Sequence, residues 1–254
     1  MSGPYSPASC YLIQARGWDE EREVMRDFSI VFDLGPGSFG QLWRYCDVRR
    51  LDAVILSHLH ADHMGDIISL HVHRRWYPTG PLGPVILAGP DGLMERVRGI
   101  DGVGEEETYE GVFDPHILRA GRSLHVGPLT ITPYAANHTV PAFGFRITGP
   151  SEGDPDRQVT MGYTGDTDTC DSIIEMASGV QLLLSEAGFT AADIPRGIHL
   201  TGARAAAIAR EAGVSSLVLT HIQPWTDPMI VLDEARAVWD GAVSTAYAGA
   251  TYTL

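Results

Sequence analysis

The sequence predicts an α/β fold with sheet on the inside and helices on the outside, in one domain of 254 residues. Three observations lead to this prediction. Short apolar runs typical of strands alternate with helical stretches along the whole chain, and no linker of biased composition interrupts them. The content of 44% hydrophobic and 20% charged residues is ordinary for a protein with a packed core. Two similar halves within the domain stay conceivable.

In the first half, apolar runs predict strands at residues 11–15, 29–33, 52–57 and 85–88. The tetrapeptide Leu34-Gly35-Pro36-Gly37 ends the second strand, because glycine and proline break regular structure. Helices are predicted at residues 64–76, where Pro78 follows, and at residues 93–97. Residues 99–114 contain several glycines and three consecutive glutamates, and we expect them to form a solvated loop.

The second half repeats the alternation. Strands are predicted at residues 129–135, 142–148, 159–163, 180–184, 217–220 and 243–254. Helices are predicted at residues 172–177, 202–211 and 230–239, and the alanine-rich segment 202–211 is the clearest of them. A polar loop, residues 149–156, separates the second and third of these strands.

Composition excludes several classes of protein. The three cysteines lie far apart without a CxxC pair, which argues against a disulfide framework and against a cysteine-built zinc site. The longest apolar runs are far shorter than the roughly 20 residues of a membrane span. No signal peptide opens the chain, so we expect a cytoplasmic protein without a membrane partner. The net charge of −14 would repel a long polyphosphate backbone, which disfavours nucleic acid as a partner.

The segment Ser57-His58-Leu59-His60-Ala61-Asp62-His63 predicts most of a binuclear metal site. On an extended backbone, residues i and i+2 point to the same side, so His58 and His60 can bind one ion. The following turn can direct Asp62 and His63 to a second ion. Imidazole and carboxylate ligands suit Zn²⁺, with Mn²⁺ or Fe as alternatives. The alternative of a solvated polar loop is disfavoured, because an apolar strand leads directly into the segment.

Three further candidate ligands, His138, Asp166 and His221, each follow an apolar strand. Taken singly, they have simpler explanations: a turn cap, a helix N-cap and a core histidine. Their joint occurrence at strand ends favours one shared site, because sites in α/β sheets gather at a common end of the strands. The chain is therefore expected to bind two divalent ions, with zinc as the first choice.

In their order along the chain, these seven residues resemble the ligand motifs of the metallo-β-lactamase superfamily. The resemblance implies an αββα sandwich with two ions. It assigns His58, His60 and His138 to one ion, and Asp62, His63 and His221 to the other. Asp166 would bridge the two.

Three segments resemble the ribonuclease Z-like branch of that superfamily. They are Asn137-His138-Thr139-Val140-Pro141-Ala142-Phe143-Gly144-Phe145-Arg146, Ser185-Glu186-Ala187 and His199-Leu200-Thr201-Gly202. The resemblance implies hydrolysis of phosphodiesters, with Asp62 orienting the attacking water. We expect His199 to protonate the leaving alkoxide, and Glu186 to hold the imidazole and favour its protonated form. Left open are a solvent-packed helix end for His199 and a turn cap for Glu186.

Departures from ribonuclease Z narrow the expected substrate. That enzyme carries a long arm for tRNA, whereas the corresponding connections here are short and residues 149–156 contain no basic residue. Residues 73–78 and the Ser185 and His199 segments look more like compact actinobacterial relatives proposed as cyclic nucleotide phosphodiesterases. We therefore expect a small-molecule phosphodiester such as 3′,5′-cyclic AMP. The alternatives are a tRNA 3′-end endonuclease and a non-enzymatic metal- or nucleotide-binding relative.

The beginning of the chain differs from such relatives, which open with a strand and a glycine-containing turn. Here the sequence starts at Met1-Ser2-Gly3, and we expect this start to lie after that strand. Either the true start lies upstream or the family's first strand is absent. The absence predicts an exposed sheet edge beside residues 11–15. Dimers occur among similar proteins, and a homodimer stays open.

Overall fold

Two β-sheets organise the part of the chain that the computed structural model describes, residues 1–193 and 197–254. The chain divides into two compact units, Met1–Leu118 and Arg119–Leu254, and each sheet belongs to one unit. Within the described residues, none of the helices has the length and apolar character that crossing a membrane requires.

The first unit contains a five-stranded sheet with its strands in sequence order. The strands are β1 (Tyr11–Asp19), β2 (Val24–Phe32), β3 (Ala53–Ile55), β4 (Val85–Gly89) and β5 (Phe113–Ile117). Strands β1 and β2 are antiparallel, and β2 to β5 run parallel. The helices are α1 (Ser38–Leu42), α2 (Ala61–Met64), α3 (Ile67–Arg75) and α4 (Leu93–Asp101). A 3₁₀ turn, Val48–Arg50, precedes β3.

Strand β3 is buried over its whole length, because it lies between two parallel neighbours in the middle of the sheet. Val54 and Leu56 belong to the apolar core of this unit, together with Val31 of β2. This explains the uninterrupted apolar run that precedes the histidine segment. The core fixes the end of β3, and therefore the point where His58 leaves the sheet.

The structure corrects two predictions in this unit. Residues 99–114 are not one loop, because α4 continues to Asp101 and β5 begins at Phe113. The helix predicted at residues 64–76 begins only at Ile67, and a separate short helix, α2, carries Asp62 and His63. Strand β1 is, as expected, an edge strand: among the described residues it pairs only with β2.

The second unit contains a seven-stranded sheet whose strands also lie in sequence order. The strands are β6 (Leu124–Val126), β7 (Leu129–Ala135), β8 (Phe143–Pro150), β9 (Gln158–Tyr163), β10 (Leu182–Glu186), β11 (Ser216–Thr220) and β12 (Ala242–Thr245). Strands β6 to β9 are antiparallel, and β9 to β12 run parallel. The helices are α5 (Asp171–Ala177), α6 (Gly202–Glu211) and α7 (Pro228–Arg236).

The parallel part of this sheet brings candidate residues to one edge. Strands β9, β10 and β11 are neighbours, and Asp166, Glu186 and His221 lie at or directly after their carboxyl ends.

Helix α6 packs closely on α7. A Cβ on Gly202 would lie only 1.9 Å from the carbonyl oxygen of Val231, so this contact requires glycine. The strand predicted at residues 243–254 is wrong beyond Thr245, where β12 ends, and the short strand β6 was not predicted.

Candidate metal centre

In the first unit, four polar residues converge directly after β3. His58 and His63 are fully buried, and their ring centroids lie 4.2 Å apart. The Nε2 atom of His58 lies 3.1 Å from Nδ1 of His60. Oδ2 of Asp62 lies 3.9 Å from Nε2 of His63. The segment thus brings His58 beside His60 and Asp62 beside His63, and the division of these residues between two ions stays a prediction.

The carboxylate of Asp33 contacts both ends of this segment, at Ser57 and at His63. This residue was not predicted from the sequence. It is fully buried directly after β2, and its Oδ2 lies 2.8 Å from Nδ1 of His63. Its carboxylate also accepts hydrogen bonds from the backbone N–H (2.7 Å) and the hydroxyl (2.9 Å) of Ser57. An acceptor at Nδ1 places the proton there and presents Nε2 of His63 to an ion. Asp33 has a φ of 57°, a left-handed conformation that aspartate tolerates better than most residues.

Gly35 lets the ligand segment approach the backbone that follows β2. A Cβ at this position would lie 2.0 Å from the carbonyl oxygen of Asp62 and 2.6 Å from the Cβ of Ala8. The backbone N–H of Leu34 donates to the carbonyl oxygen of His63 at 2.7 Å. The glycine predicted only as a strand breaker therefore also sets the position of Asp62 and His63.

In the second unit, Asp166, His138 and His221 lie in loops that follow sheet strands. Asp166 is buried, and its Oδ2 lies 3.5 Å from Nε2 of His221. His221 has a φ of 55°, which turns the chain sharply after β11. Nδ1 of His138 lies 3.0 Å from the carbonyl oxygen of Ile198, so the ring donates there and Nε2 is the atom available to an ion.

Glu186, which is buried, and His199, which is partly buried, form a hydrogen-bonded pair in the same unit. Nδ1 of His199 lies 2.9 Å from Oε1 of Glu186, whose side chain is almost wholly inaccessible. Glu186 also accepts hydrogen bonds from the backbone N–H groups of Thr167 (2.7 Å) and Gly188 (3.0 Å). Burial raises the pKa of Glu186, and the hydrogen bond from His199 opposes that rise. The two backbone donors cannot accept a proton, so they favour the carboxylate as the acceptor from His199.

The surroundings of His199 are crowded. A Cβ on Gly188 would lie 3.2 Å from Oε2 of Glu186 and 3.2 Å from Cγ of His199. The half-exposed ring of Phe189 contacts His199 edge to face, with 5.0 Å between the ring centroids. The ring of His138 lies 5.4 Å from the same imidazole. His199 is therefore a fixed side chain, and the solvent-packed helix end is not what the structure shows.

The residues present suit divalent metal ions. Two nitrogen or oxygen ligands on a tetrahedral Zn²⁺, each about 2.1 Å from the ion, are about 3.4 Å apart. The separations of 3.1 Å for His58 and His60 and 3.5 Å for Asp166 and His221 are close to that value. Asp166, His199 and His221 also offer ligand atoms within 4.8 Å of one another. Several groups of histidine and aspartate in the described residues can thus bind metal.

Comparison with known proteins shows where the chain belongs. The family model described as "Beta-lactamase superfamily domain" matches residues 29–222. An uncharacterized protein of Mycobacterium tuberculosis is 38% identical over 255 residues, covering 99% of this chain and 88% of the relative. The Bacillus subtilis protein named "Probable metallo-hydrolase YhfI" is 31% identical, covering 88% of this chain and 87% of the relative. A ribonuclease Z of Myxococcus xanthus is 28% identical, covering 89% of this chain and 88% of the relative.

The crystal structure of YhfI has the same fold. It superposes with a TM-score of 0.76 at 27% sequence identity, over 96% of this chain and 92% of YhfI. The α/β class with two sheets and the metallo-β-lactamase fold predicted from the ligand motifs are both confirmed. The chain is therefore a metallo-hydrolase of the metallo-β-lactamase superfamily, with relatives in its ribonuclease Z-like branch.

Proposed function

We propose that this metallo-hydrolase is a binuclear phosphodiesterase that hydrolyses small phosphodiesters, with 3′,5′-cyclic nucleotides such as cyclic AMP as the leading substrates. The observation that carries the proposal is the hydrogen bond between Glu186 and His199. It supplies an oriented imidazole beside Asp166 and His221, which are candidate ligands for the ions. Cleavage of a phosphodiester requires a proton for the departing alkoxide, and an imidazole can deliver one near neutral pH.

The ligand assignment follows the family resemblance. His58, His60 and His138 are proposed to bind one ion, Asp62, His63 and His221 the other, and Asp166 both. Zinc is our first choice for both ions. When bound, the ions would stabilise the negative charge on the phosphoryl oxygens and lower the pKa of a water molecule.

We assign the orientation of the attacking water and the protonation of the leaving group to side chains of the protein. The carboxylate of Asp62, 37% exposed, accepts a hydrogen bond from the attacking water and orients it. Nδ1 of His199 remains bound to Glu186, so its Nε2 carries the proton that moves to the leaving oxygen. Glu186 stabilises the imidazolium form before that transfer, since a carboxylate at hydrogen-bond distance favours the protonated ring.

Charge favours a small substrate over RNA. The net charge of −14 opposes the binding of a long polyanion, which normally needs a basic surface. A cyclic nucleotide carries one phosphodiester group, so the ions and a few polar groups can neutralise it. The alternative of a tRNA 3′-end endonuclease has support in the relative named ribonuclease Z, at 28% identity.

Two measurements on the purified protein test the proposal. Metal analysis is expected to find close to two ions per chain, and a value near zero would contradict the enzyme assignment. Turnover of cyclic AMP and of a tRNA precursor is then compared in the presence of Zn²⁺ or Mn²⁺. We expect hydrolysis of cyclic AMP and little cleavage of the precursor. Efficient precursor cleavage without cyclic AMP hydrolysis would establish the endonuclease instead.

A further inference from the structure

A buried carboxylate, Asp168, connects two of the segments that carry candidate site residues. It lies two residues after Asp166, and only 5% of its surface is exposed. Its backbone N–H donates to the carbonyl oxygen of Asn137 at 2.8 Å, which joins it to the residue before His138. Its Oδ1 accepts a hydrogen bond from the backbone N–H of Thr169 at 2.6 Å. The same oxygen forms an ion pair with Arg204.

Arg204 links this carboxylate to the third segment, the one that carries His199. It lies in the first turn of α6, the helix that begins three residues after His199. The hydroxyl of Thr201 accepts a hydrogen bond from the backbone N–H of Arg204 at 3.2 Å and caps the helix. Asp168 is the buried member of this ion pair, whereas the side chain of Arg204 is 35% exposed. Removing Arg204 would leave the buried carboxylate without its cationic partner, which is unfavourable, so the ion pair holds the two segments together.

These contacts form a closed ring of interactions that includes the Glu186–His199 pair. From Arg204 the ring passes to Asp168 and to the neighbouring Thr167, whose backbone N–H donates to Oε1 of Glu186. The same oxygen accepts from Nδ1 of His199, and the chain returns through Thr201 to α6. A shift of α6 away from the loop that carries Asp168 would therefore change the geometry at Oε1 of Glu186, which accepts hydrogen bonds from both Thr167 and His199.

We infer that Asp168 and Arg204 are a positioning pair that fixes the imidazole of His199 relative to Asp166. Neither residue is assigned a contact with the substrate, and the significance of the pair for turnover rests on the phosphodiesterase function proposed above. Displacing an acid by about 1 Å from its productive position can slow a reaction by on the order of a hundredfold. Since the metal ligands themselves remain, the pair should affect turnover more than metal content.

The test uses the metal-loaded protein with Asp168→Asn, Arg204→Met and the double variant. Each single change is expected to lower kcat by on the order of ten- to a hundredfold, with KM changed by less than about threefold. The double variant should be no slower than the slower single variant, because the two residues act as one unit. Arg204→Lys, which keeps the charge but not the planar guanidinium, should recover part of kcat.

A second readout does not depend on activity. The Nδ1 proton of His199, assigned by its loss in His199→Gln, is expected as a downfield NMR signal that weakens in both single variants. The matched control is Arg210→Met, at the last turn of α6, where the side chain donates to the carbonyl oxygen of Val238 at 3.1 Å, far along the helix from Arg204 and its contact with Asp168. The control should retain both kcat and the NMR signal.

The outcomes separate this inference from the proposed function. Unchanged kcat and an unchanged His199 signal in the single variants would overturn the positioning role, as would kcat losses that multiply in the double variant. If the wild-type protein hydrolyses no phosphodiester, the proposed function fails. The NMR signal then still decides whether Asp168 and Arg204 position His199.

Discussion

Oδ2 of Asp33 lies 2.8 Å from Nδ1 of His63, and both side chains are fully buried. A carboxylate in this position fixes the ring orientation and increases the basicity of the opposite nitrogen. Asp33 is thus expected to control how tightly the first unit holds an ion, although it is not itself a candidate ligand.

Replacing Asp33 with asparagine tests this relationship. Because the amide carries no negative charge, we expect about 10- to 100-fold weaker metal binding. Competition with a chromophoric chelator measures the affinity. Asp27→Asn, an exposed position on β2, is the matched control and should bind metal like the wild type. Equal affinities in the two variants would show that Asp33 does not support His63.

The close approach at Gly35 predicts a second effect. An alanine Cβ would overlap the carbonyl oxygen of Asp62, so Gly35→Ala should lower the free energy of unfolding by about 3 kcal/mol. Gly40→Ala is the control, since a Cβ there meets no atom within 4 Å and the residue lies inside α1. Alanine loses less backbone entropy on folding into a helix than glycine does, so this change should raise the free energy of unfolding by up to about 1 kcal/mol. Urea unfolding measures both, and a Gly35 variant as stable as the wild type would contradict the packing described.

The cysteines give a prediction on pH. Burial raises the pKa of Cys10 to about 12 and that of Cys46 to about 11. A raised pKa leaves less of the reactive thiolate at a given pH, so both should react with iodoacetamide at pH 8 more slowly than glutathione does. Their rates should rise steeply as the pH approaches 11. Mass spectrometry of the labelled peptides measures the rates, and labelling of Cys10 as fast as glutathione would contradict its raised pKa.

The site residues that can be predicted from the sequence are those that follow a recognisable local pattern of residue types. Apolar strands that end in histidine or aspartate can be recognised one by one, because strand burial and residue type both appear in a short window. His58 to His63 and Asp166 are predictable in this way: His58 and Asp166 follow the ends of β3 and β9, and the short helix α2 after β3 carries Asp62 and His63.

Asp33 and the Asp168–Arg204 pair could not be found in this way. The partners in these contacts lie 30 and 36 residues apart in the chain, so only the tertiary structure brings them together. Strand β5 was missed for a related reason. It contains Pro115 and exposed polar residues, and it is a strand because β4 offers it a parallel edge. The short β6 likewise depends on its antiparallel partner, β7.

The central claim is that His199, held by Glu186, protonates the leaving group of a phosphodiester. The most direct measurement is the turnover of His199→Ala on cyclic AMP and on bis(p-nitrophenyl) phosphate, whose leaving phenolate is a weak base that needs little protonation. We predict a loss of about 10²- to 10⁴-fold on cyclic AMP. On the nitrophenyl ester we predict a loss below about tenfold, with two ions per chain retained. Equal losses on both substrates would contradict the claim, and loss of an ion would instead place His199 among the metal ligands.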